Sequence, residues 1–279
     1  MKLLGRTVLI TGASSGIGEA VAREAYARGA TVLLVARGET KLKALSEELG
    51  IRAHAYPCDV GDPEAIKALA DAVHADGLGV DVLVNNAGAG RWVSIEDTDP
   101  DELLDMAKVP YLAALLATRA FVPGMLERRS GWIVTVNSGV SRAVWPGAVG
   151  YASARWALRG LDLALKSDLR GSGVGATEIV LGTVSSSYFA NNPGSEDKLP
   201  KIARMVPTVT PEQVAEAACK AVERRRGTVI MPWQMKFVAT SSQHMPRMNH
   251  FMLWLTGARR TARRGATASA ANNRVQQQV

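Results

Sequence analysis

The chain has 279 residues, of which 47% are hydrophobic and 21% charged. That is enough apolar material for one substantial core, and it argues against a disordered chain. Cys58 and Cys219 lie far apart, imply no disulfide framework and suit a reducing cytoplasm. The net charge of +7 hides two unlike parts: from Lys220 onward eleven Lys/Arg face one acid, Glu223, while the remainder carries 22 basic and 25 acidic residues. A nucleic-acid-binding core is therefore not expected, and the positive end reads as a cationic tail.

Met1–Gly5 runs directly into a first strand, Thr7–Ile10, with no apolar signal stretch ahead of it, so a cytoplasmic location is expected. A helix follows over Ile17–Arg28, ending at Gly29. A second strand covers Thr31–Val35, a charged helix Glu39–Leu49, a short third strand Arg52–Tyr56 and a third helix Pro63–Ala75. The fourth strand covers Val80–Val84. Two long helices, Asp101–Arg128 and Val149–Arg170, flank a fifth strand, Trp132–Val136. Val174–Leu181 is the sixth strand, Pro211–Arg225 a helix and Thr228–Met231 the seventh strand. Continuous apolar strands alternating with helices predict a mostly parallel sheet covered on both faces. With right-handed crossovers, this is a single-domain α/β fold: a doubly wound seven-stranded Rossmann sheet, with its ligand at the carboxyl ends of the strands. Residues 1–232 form this unit. Residues 233–279 read as a C-terminal extension, an amphipathic helical segment followed by a basic, disordered tail.

Between the first strand and first helix lies Thr11-Gly12-Ala13-Ser14-Ser15-Gly16-Ile17-Gly18. Its glycines allow a sharp turn and close backbone approach to a pyrophosphate. The helix that follows offers free N–H groups and the positive end of its dipole. Because this turn opens the first βαβ unit, dinucleotide binding is expected through Gly12, Ser14, Ser15, Gly16, Ile17 and Gly18. The second strand closes on Ala36-Arg37, where an NAD site places an acid for the ribose 2′-hydroxyl. A guanidinium there suits a 2′-phosphate instead, so NADP(H) is expected over NAD(H), which stays admissible.

Together these motifs resemble the short-chain dehydrogenase/reductase family. Thr11–Gly18 is similar to its cofactor turn, Asp59-Val60 to its adenine contact and Asn85-Asn86-Ala87-Gly88 to its N-N-A-G motif after the fourth strand. Ser138 and Tyr151, thirteen residues apart, match its catalytic pair. The resemblance spans about residues 5–231. It implies reversible hydride transfer between nicotinamide and a carbonyl or alcohol. Tyr151 would be the acid/base and Ser138 the oxygen anchor. Asn86, Ala87, Gly88, Val184 and Ser186 would contact the cofactor, and subunits would pair as a dimer or tetramer through the long helices.

Two positions depart from the pattern. Arg155 stands where the family has the lysine that lowers the tyrosine pKa and binds the nicotinamide ribose. Its charge is permanent but its fork is bulkier, so both altered and lost function are compatible with it. Pro110 stands where the family has the Asn that holds a proton-relay water. A proline deprives the Met106 carbonyl of its helical donor, which either frees that carbonyl to hold a water or merely kinks the helix. More mildly, Leu181-Gly182 replaces the family's Pro-Gly, and Ser186 its Thr.

Trp92, Trp145, Tyr188 and Phe189 fall in loops that the resemblance places over the substrate. They read either as an apolar pocket wall or as ordinary packing. His54, His74, His244 and His250 show no metal spacing. In the extension, Met248, Phe251, Met252 and Leu255 recur at helical spacing, followed by Arg259, Arg260, Arg263 and Arg264. Packing over the cleft or against a neighbouring subunit is the simpler reading of this stretch, and a helix lying on a membrane surface the sharper one. The leading functional expectation is an NADP(H)-dependent oxidoreductase for an apolar carbonyl or alcohol. The alternative is a non-catalytic NADP(H)-binding sensor or scaffold.

Overall fold

The computed structural model describes residues 1–256 except 89, 187, 189–191, 193, 194, 196 and 197; for 202 and 204 it describes the backbone alone. Seven strands form one sheet: β1 (Thr7–Thr11), β2 (Thr31–Ala36), β3 (Ala53–Pro57), β4 (Val82–Asn85), β5 (Gly131–Ser138), β6 (Val174–Leu181) and β7 (Thr228–Met231). Their order is β3-β2-β1-β4-β5-β6-β7, and every neighbouring pair is parallel. The order reverses beside β1, between β1 and β4. This is the topological switch point at which such sheets bind their ligands.

The side-chain alternation of each strand divides the core. Val8 and Ile10 of β1, with Val32 and Leu34 of β2, face one layer. Leu9, Leu33 and Val35 face the other. Strands buried on both sides are apolar at most positions, which explains these runs. On the first face lie α1 (Gly16–Ala27) and α7 (Pro211–Glu223), packed together through Val21, Ala22, Ala25, Ala215 and Ala218. A full capping box fixes the start of α7: Gln213 donates its backbone N–H to the Thr210 hydroxyl, and its side chain accepts from the Thr210 N–H. On the second face α3 (Pro63–Ala75) supplies Ile66, Leu69 and Val73, and α5 (Ala113–Glu127) supplies Ala117, Phe121 and Met125. The charged α2 (Glu39–Leu49) lies beside β2 and β3, and α6 (Val149–Asp168) covers β5 and β6.

The helix expected over Asp101–Arg128 is divided. It runs as α4 (Pro100–Ala107), one π turn (Lys108–Leu112) and then α5. Pro110 is buried inside that turn, and the Ala113 N–H reaches back five residues to the Lys108 carbonyl. A proline cannot donate to the residue four before it, and the wider turn absorbs the missing bond. Pro100–Glu127 is the one stretch among the described residues long and apolar enough to cross a membrane. Ala113, Ala117, Phe121 and Met125 nevertheless belong to the core.

Beyond β7 the chain forms α8 (Gln234–His244) and α9 (Pro246–Thr256). The helical stripe read from the sequence does not predict the buried face. Met248, Phe251, Met252 and Leu255 all stay exposed, and Leu253 is the residue of α9 that is buried. From α8 it is Met235 that buries, against Gly139 and Gly182 at the ends of β5 and β6. The extension therefore caps the carboxyl end of the sheet. The arginine run from Arg259 to Arg264 lies outside the described residues, as does Phe189.

Candidate active site

The carboxyl ends of the strands open into a cleft of ≈ 1790 Å³. That exceeds the roughly 300–1,000 Å³ of an ordinary small-molecule site, so it has room for a dinucleotide and a second ligand together. All the residues expected from the sequence except Gly18 line it: Gly12, Ser14, Ser15, Gly16, Ile17, Arg37, Asp59, Val60, Asn86, Ala87, Gly88, Ser138, Tyr151, Arg155, Val184 and Ser186.

Gly18 acts from behind. A Cβ there would fall 2.2 Å from the Gly12 carbonyl oxygen, a backbone atom that cannot step aside. Gly12 itself holds φ of 68°, where a side chain is strained. The turn thus closes tightly on α1, whose N-terminal N–H groups carry no side-chain cap from Ser15. Thr11 secures the loop from below. Its hydroxyl accepts from the N–H groups of Asn86 and Ala87, each at 3.0 Å, and donates to the Val84 carbonyl at 3.2 Å. The Asn86 side chain donates to the Thr11 carbonyl at 3.0 Å. One threonine and one asparagine therefore fuse the two motifs that flank the switch point.

At the end of β2 the cleft is lined by Ala36, Arg37, Gly38 and Lys41. The sequence reading named Arg37 and missed Lys41, which stands four residues on in the first turns of α2. Cys58 also lines the cleft; burial, with Asp59 and Asp62 nearby, pushes its thiol up to about 11, so it is a poor nucleophile at neutral pH.

At the opposite end Ser138 closes β5, and Tyr151 and Arg155 lie one turn apart on α6. Both α6 residues are buried. The Arg155 guanidinium carbon sits 5.0 Å from the centre of the Tyr151 ring. One of its terminal nitrogens donates to the Val136 carbonyl at 3.2 Å, while its buried Nε has no partner among the described residues. The other, Nη2, occupies space above Gly88, where a Cβ would meet it at 2.7 Å. Gly88 of the N-N-A-G loop is thus the clearance for the Arg155 fork.

Asn137 was not singled out from the sequence, yet it ties this corner together. Its side-chain oxygen accepts from the Ser138 N–H at 2.8 Å, and its amide donates to the Arg155 carbonyl at 3.1 Å and to Glu178 at 2.8 Å. Glu178, wholly buried on β6, also pairs with Arg142. A polar residue inside an apolar strand was the available signal, since a buried carboxylate needs partners.

Over the reactive corner stands an aromatic wall. Trp92 lies 5.3 Å from Trp145 edge-on, 6.0 Å from Tyr151 and 6.4 Å from Tyr188, between ring centres. The Tyr151 and Tyr188 rings are 6.2 Å apart. The Tyr188 hydroxyl donates to the Gly90 carbonyl at 2.5 Å, and burial pushes its pKa upward. Trp92 buries beside Met106, Val140 and Ala148. Of the aromatics read as either wall or packing, Trp92, Trp145 and Tyr188 are both at once.

The chain also resembles known proteins along most of its length. Residues 6–197 match the model of the short chain dehydrogenase family. The chain belongs to that family. It is 34% identical over 248 residues to short-chain dehydrogenase/reductase 3 of Homo sapiens, covering 86% of this chain and 79% of that protein. It is 33% identical over 220 residues to the NADP-dependent 3-hydroxy acid dehydrogenase YdfG of Escherichia coli O157:H7, covering 75% and 86%. Among solved structures, a short-chain dehydrogenase from Streptomyces avermitilis superposes with a TM-score of 0.78 at 28% identity over 88% of this chain and 94% of that one. A serine dehydrogenase complexed with NADP+ superposes at 0.74 and 28% identity, over 81% and 94%.

Proposed function

We propose that the chain is an NADP(H)-dependent oxidoreductase acting on an apolar carbonyl or alcohol. The observation that carries this reading is the convergence of Ser138, Tyr151 and Arg155 on one aromatic-walled end of a cleft whose other end is the glycine turn. The NADP-dependent relatives point the same way. At the end of β2 the cleft is lined by two cations, Arg37 and Lys41, while Glu39 between them does not line it, which favours a 2′-phosphate. NAD(H) binds the same turn more weakly. The residues fit the cofactor: the glycine cradle admits no Cβ at Gly18, and Arg155, whose buried Nε has no partner among the described residues, lines the cleft.

When bound, the nicotinamide supplies or takes up the hydride. In reduction Tyr151 gives its hydroxyl proton to the substrate oxygen, and in oxidation it takes that proton back. Ser138 holds the oxygen through its own hydroxyl. Arg155, beside the ring, opposes the negative charge that develops on Tyr151. The apolar wall excludes water and selects an apolar body around the carbonyl. Residues 1–232 are then the catalytic unit, and α8 and α9 its cap. The outward Leu104, Leu112 and Leu115 of the divided helix, with Trp156 and Leu163 of α6, suit pairing of subunits.

Two observations favour a second reading, a non-catalytic NADP(H) sensor. Pro110 leaves no side-chain amide at the π turn, and the Arg155 fork already spends one arm on the Val136 carbonyl. A single pair of measurements separates the two. NADPH titration should saturate in both cases. Consumption of NADPH with a panel of aldehydes and ketones, abolished by Tyr151→Phe, supports the enzyme; saturable binding without turnover across the panel supports the sensor.

A further inference from the structure

The cap does more than close the cleft. Trp233, Phe237, Met245, Met248 and Met252 all line the cleft, yet each is also exposed; Phe237 is 77% exposed and Trp233 71%. The inner wall and the outer surface are therefore one continuous apolar path, running from the Tyr151 corner out through α8 and α9. Beside that mouth, Phe251 and Trp254 stack their rings 5.9 Å apart on α9 and remain exposed without lining the cleft. Large apolar patches left outside mark a docking surface.

The charge around the patch chooses the occupant. From Trp233 to Thr256 the chain carries two Lys/Arg and no Asp or Glu. These two, Lys236 and Arg247, lie exposed on α8 and at the start of α9. A second copy brought against the same face would set cations against cations. An anionic lipid surface meets both features at once, accepting the aromatic rings at its acyl boundary and the cations at its headgroups.

We propose that α8 and α9 seat the protein on an anionic bilayer, and that the cleft takes its substrate, a carbonyl or alcohol with a long apolar chain, directly from that bilayer through the mouth between these helices. The substrate part rests on the reading of the cleft as a hydride-transfer site; the docking part does not.

The test is flotation of the full chain with vesicles of phosphatidylglycerol and phosphatidylcholine in equal parts, against vesicles of phosphatidylcholine alone. The wild type should float with the anionic vesicles and release at high salt. Lys236→Gln with Arg247→Gln should weaken partition about 25-fold, at about fivefold per cation. Phe251→Ser with Trp254→Ser should weaken it by about tenfold or more. NADPH affinity, followed by fluorescence, should be unchanged in both double variants, since none of the four residues lines the cleft; this also shows that the variants fold. Equal flotation of wild type and variants overturns the proposal, as does no flotation of a wild type that binds NADPH. A dimer that dissociates on Phe251→Ser with Trp254→Ser, with no vesicle binding, assigns the patch to a second copy and overturns it too. A series of aldehydes of rising chain length, presented in the vesicles, should be reduced faster as the chain lengthens; a flat series removes the substrate claim. If NADPH does not bind at all while flotation behaves as described, the oxidoreductase reading has failed and the docking surface stands.

Discussion

Replacing Glu178 by Leu should damage both the stability and the chemistry of this protein, in a way that identifies its role. The carboxylate is wholly buried between β5 and α6, and it accepts from Asn137 and from Arg142, whose side chain is only 11% exposed. Removing it leaves the Arg142 guanidinium without its acid and the Asn137 amide with a single acceptor, the Arg155 carbonyl. Stranding one partner of a buried ion pair costs about 3–5 kcal/mol. In a domain of this size that corresponds to a fall in Tm of roughly 10 °C. Asn137 also holds the Ser138 N–H, so its loosening should lower kcat while leaving NADPH affinity unchanged. Glu178→Leu combined with Arg142→Leu removes both charges, and buried ion pairs replaced by apolar groups recover much of the loss. Thermal melts of the two single variants and the double variant, with NADPH titration and turnover on each, decide the matter. A single-variant loss below about 1 kcal/mol, or no recovery in the double variant, refutes the argument that this pair is energetically closed. A kcat unchanged at full stability refutes the link to Ser138.

Other outcomes follow from single contacts. Gly18→Ala should abolish NADPH binding or folding, since its Cβ meets the Gly12 carbonyl at 2.2 Å; near-normal affinity by fluorescence titration would show that the turn is looser than described. Arg37→Glu should shift the preference from NADPH towards NADH, by about tenfold for one charge-assisted contact of ~1.5 kcal/mol, measured as the ratio of the two dissociation constants. Arg155→Lys keeps a cation but gives up the Val136 bond and the filling above Gly88, so cofactor affinity should fall although the family residue is restored; a rise would mean that Gly88 does not exist to clear the fork. Burial pushes the Asp162 carboxyl up to about 6 despite its pairing with Lys166. A raised folded-state pKa stabilises fully below about 3.8 and loses that contribution as the pH climbs through about 6. Two pKa units correspond to about 3 kcal/mol. Asp162→Asn should therefore gain on the wild type between pH 4 and pH 6 in urea melts, and parallel pH dependences would contradict it.

The sheet was legible because its physics is local. Strands buried on both faces are apolar at most positions, and the runs at Val8–Ile10 and Val32–Val35 show it without any partner in view. The cofactor turn was legible because glycines mark backbone that must approach closely. What escaped the sequence was contact across elements. Asn137 and Glu178 stand forty-one residues apart, and nothing in either local pattern says they meet; only the oddity of an acid inside β6 hinted at a partner. The helix over residues 101–128 read as continuous because an apolar period survives a π turn, although Pro110 announced a break. The stripe of Met248, Phe251, Met252 and Leu255 was periodic and yet stayed exposed, because Leu253 and Met235 found the deeper contacts. Periodicity identifies a face but not which surface covers it.

The departures at Arg155, Gly88 and Pro110 are linked by space rather than by sequence. The guanidinium is wider than the ammonium it replaces, and it fits because Gly88 lacks a Cβ and the Val136 carbonyl takes up one arm. Its buried Nε keeps a donor with no partner among the described residues. Pro110 widens the helix into a π turn on the neighbouring side of the same corner, and Met106, immediately before that turn, packs against Gly90 and Gly150 beneath Tyr151. A degenerating active site would lose its fixed contacts first. Here the altered residues are buried and closely fitted, and they are braced by an ion pair behind Ser138 that costs desolvation to maintain. A corner held this firmly around a tyrosine is better explained by chemistry performed there than by a cofactor merely stored.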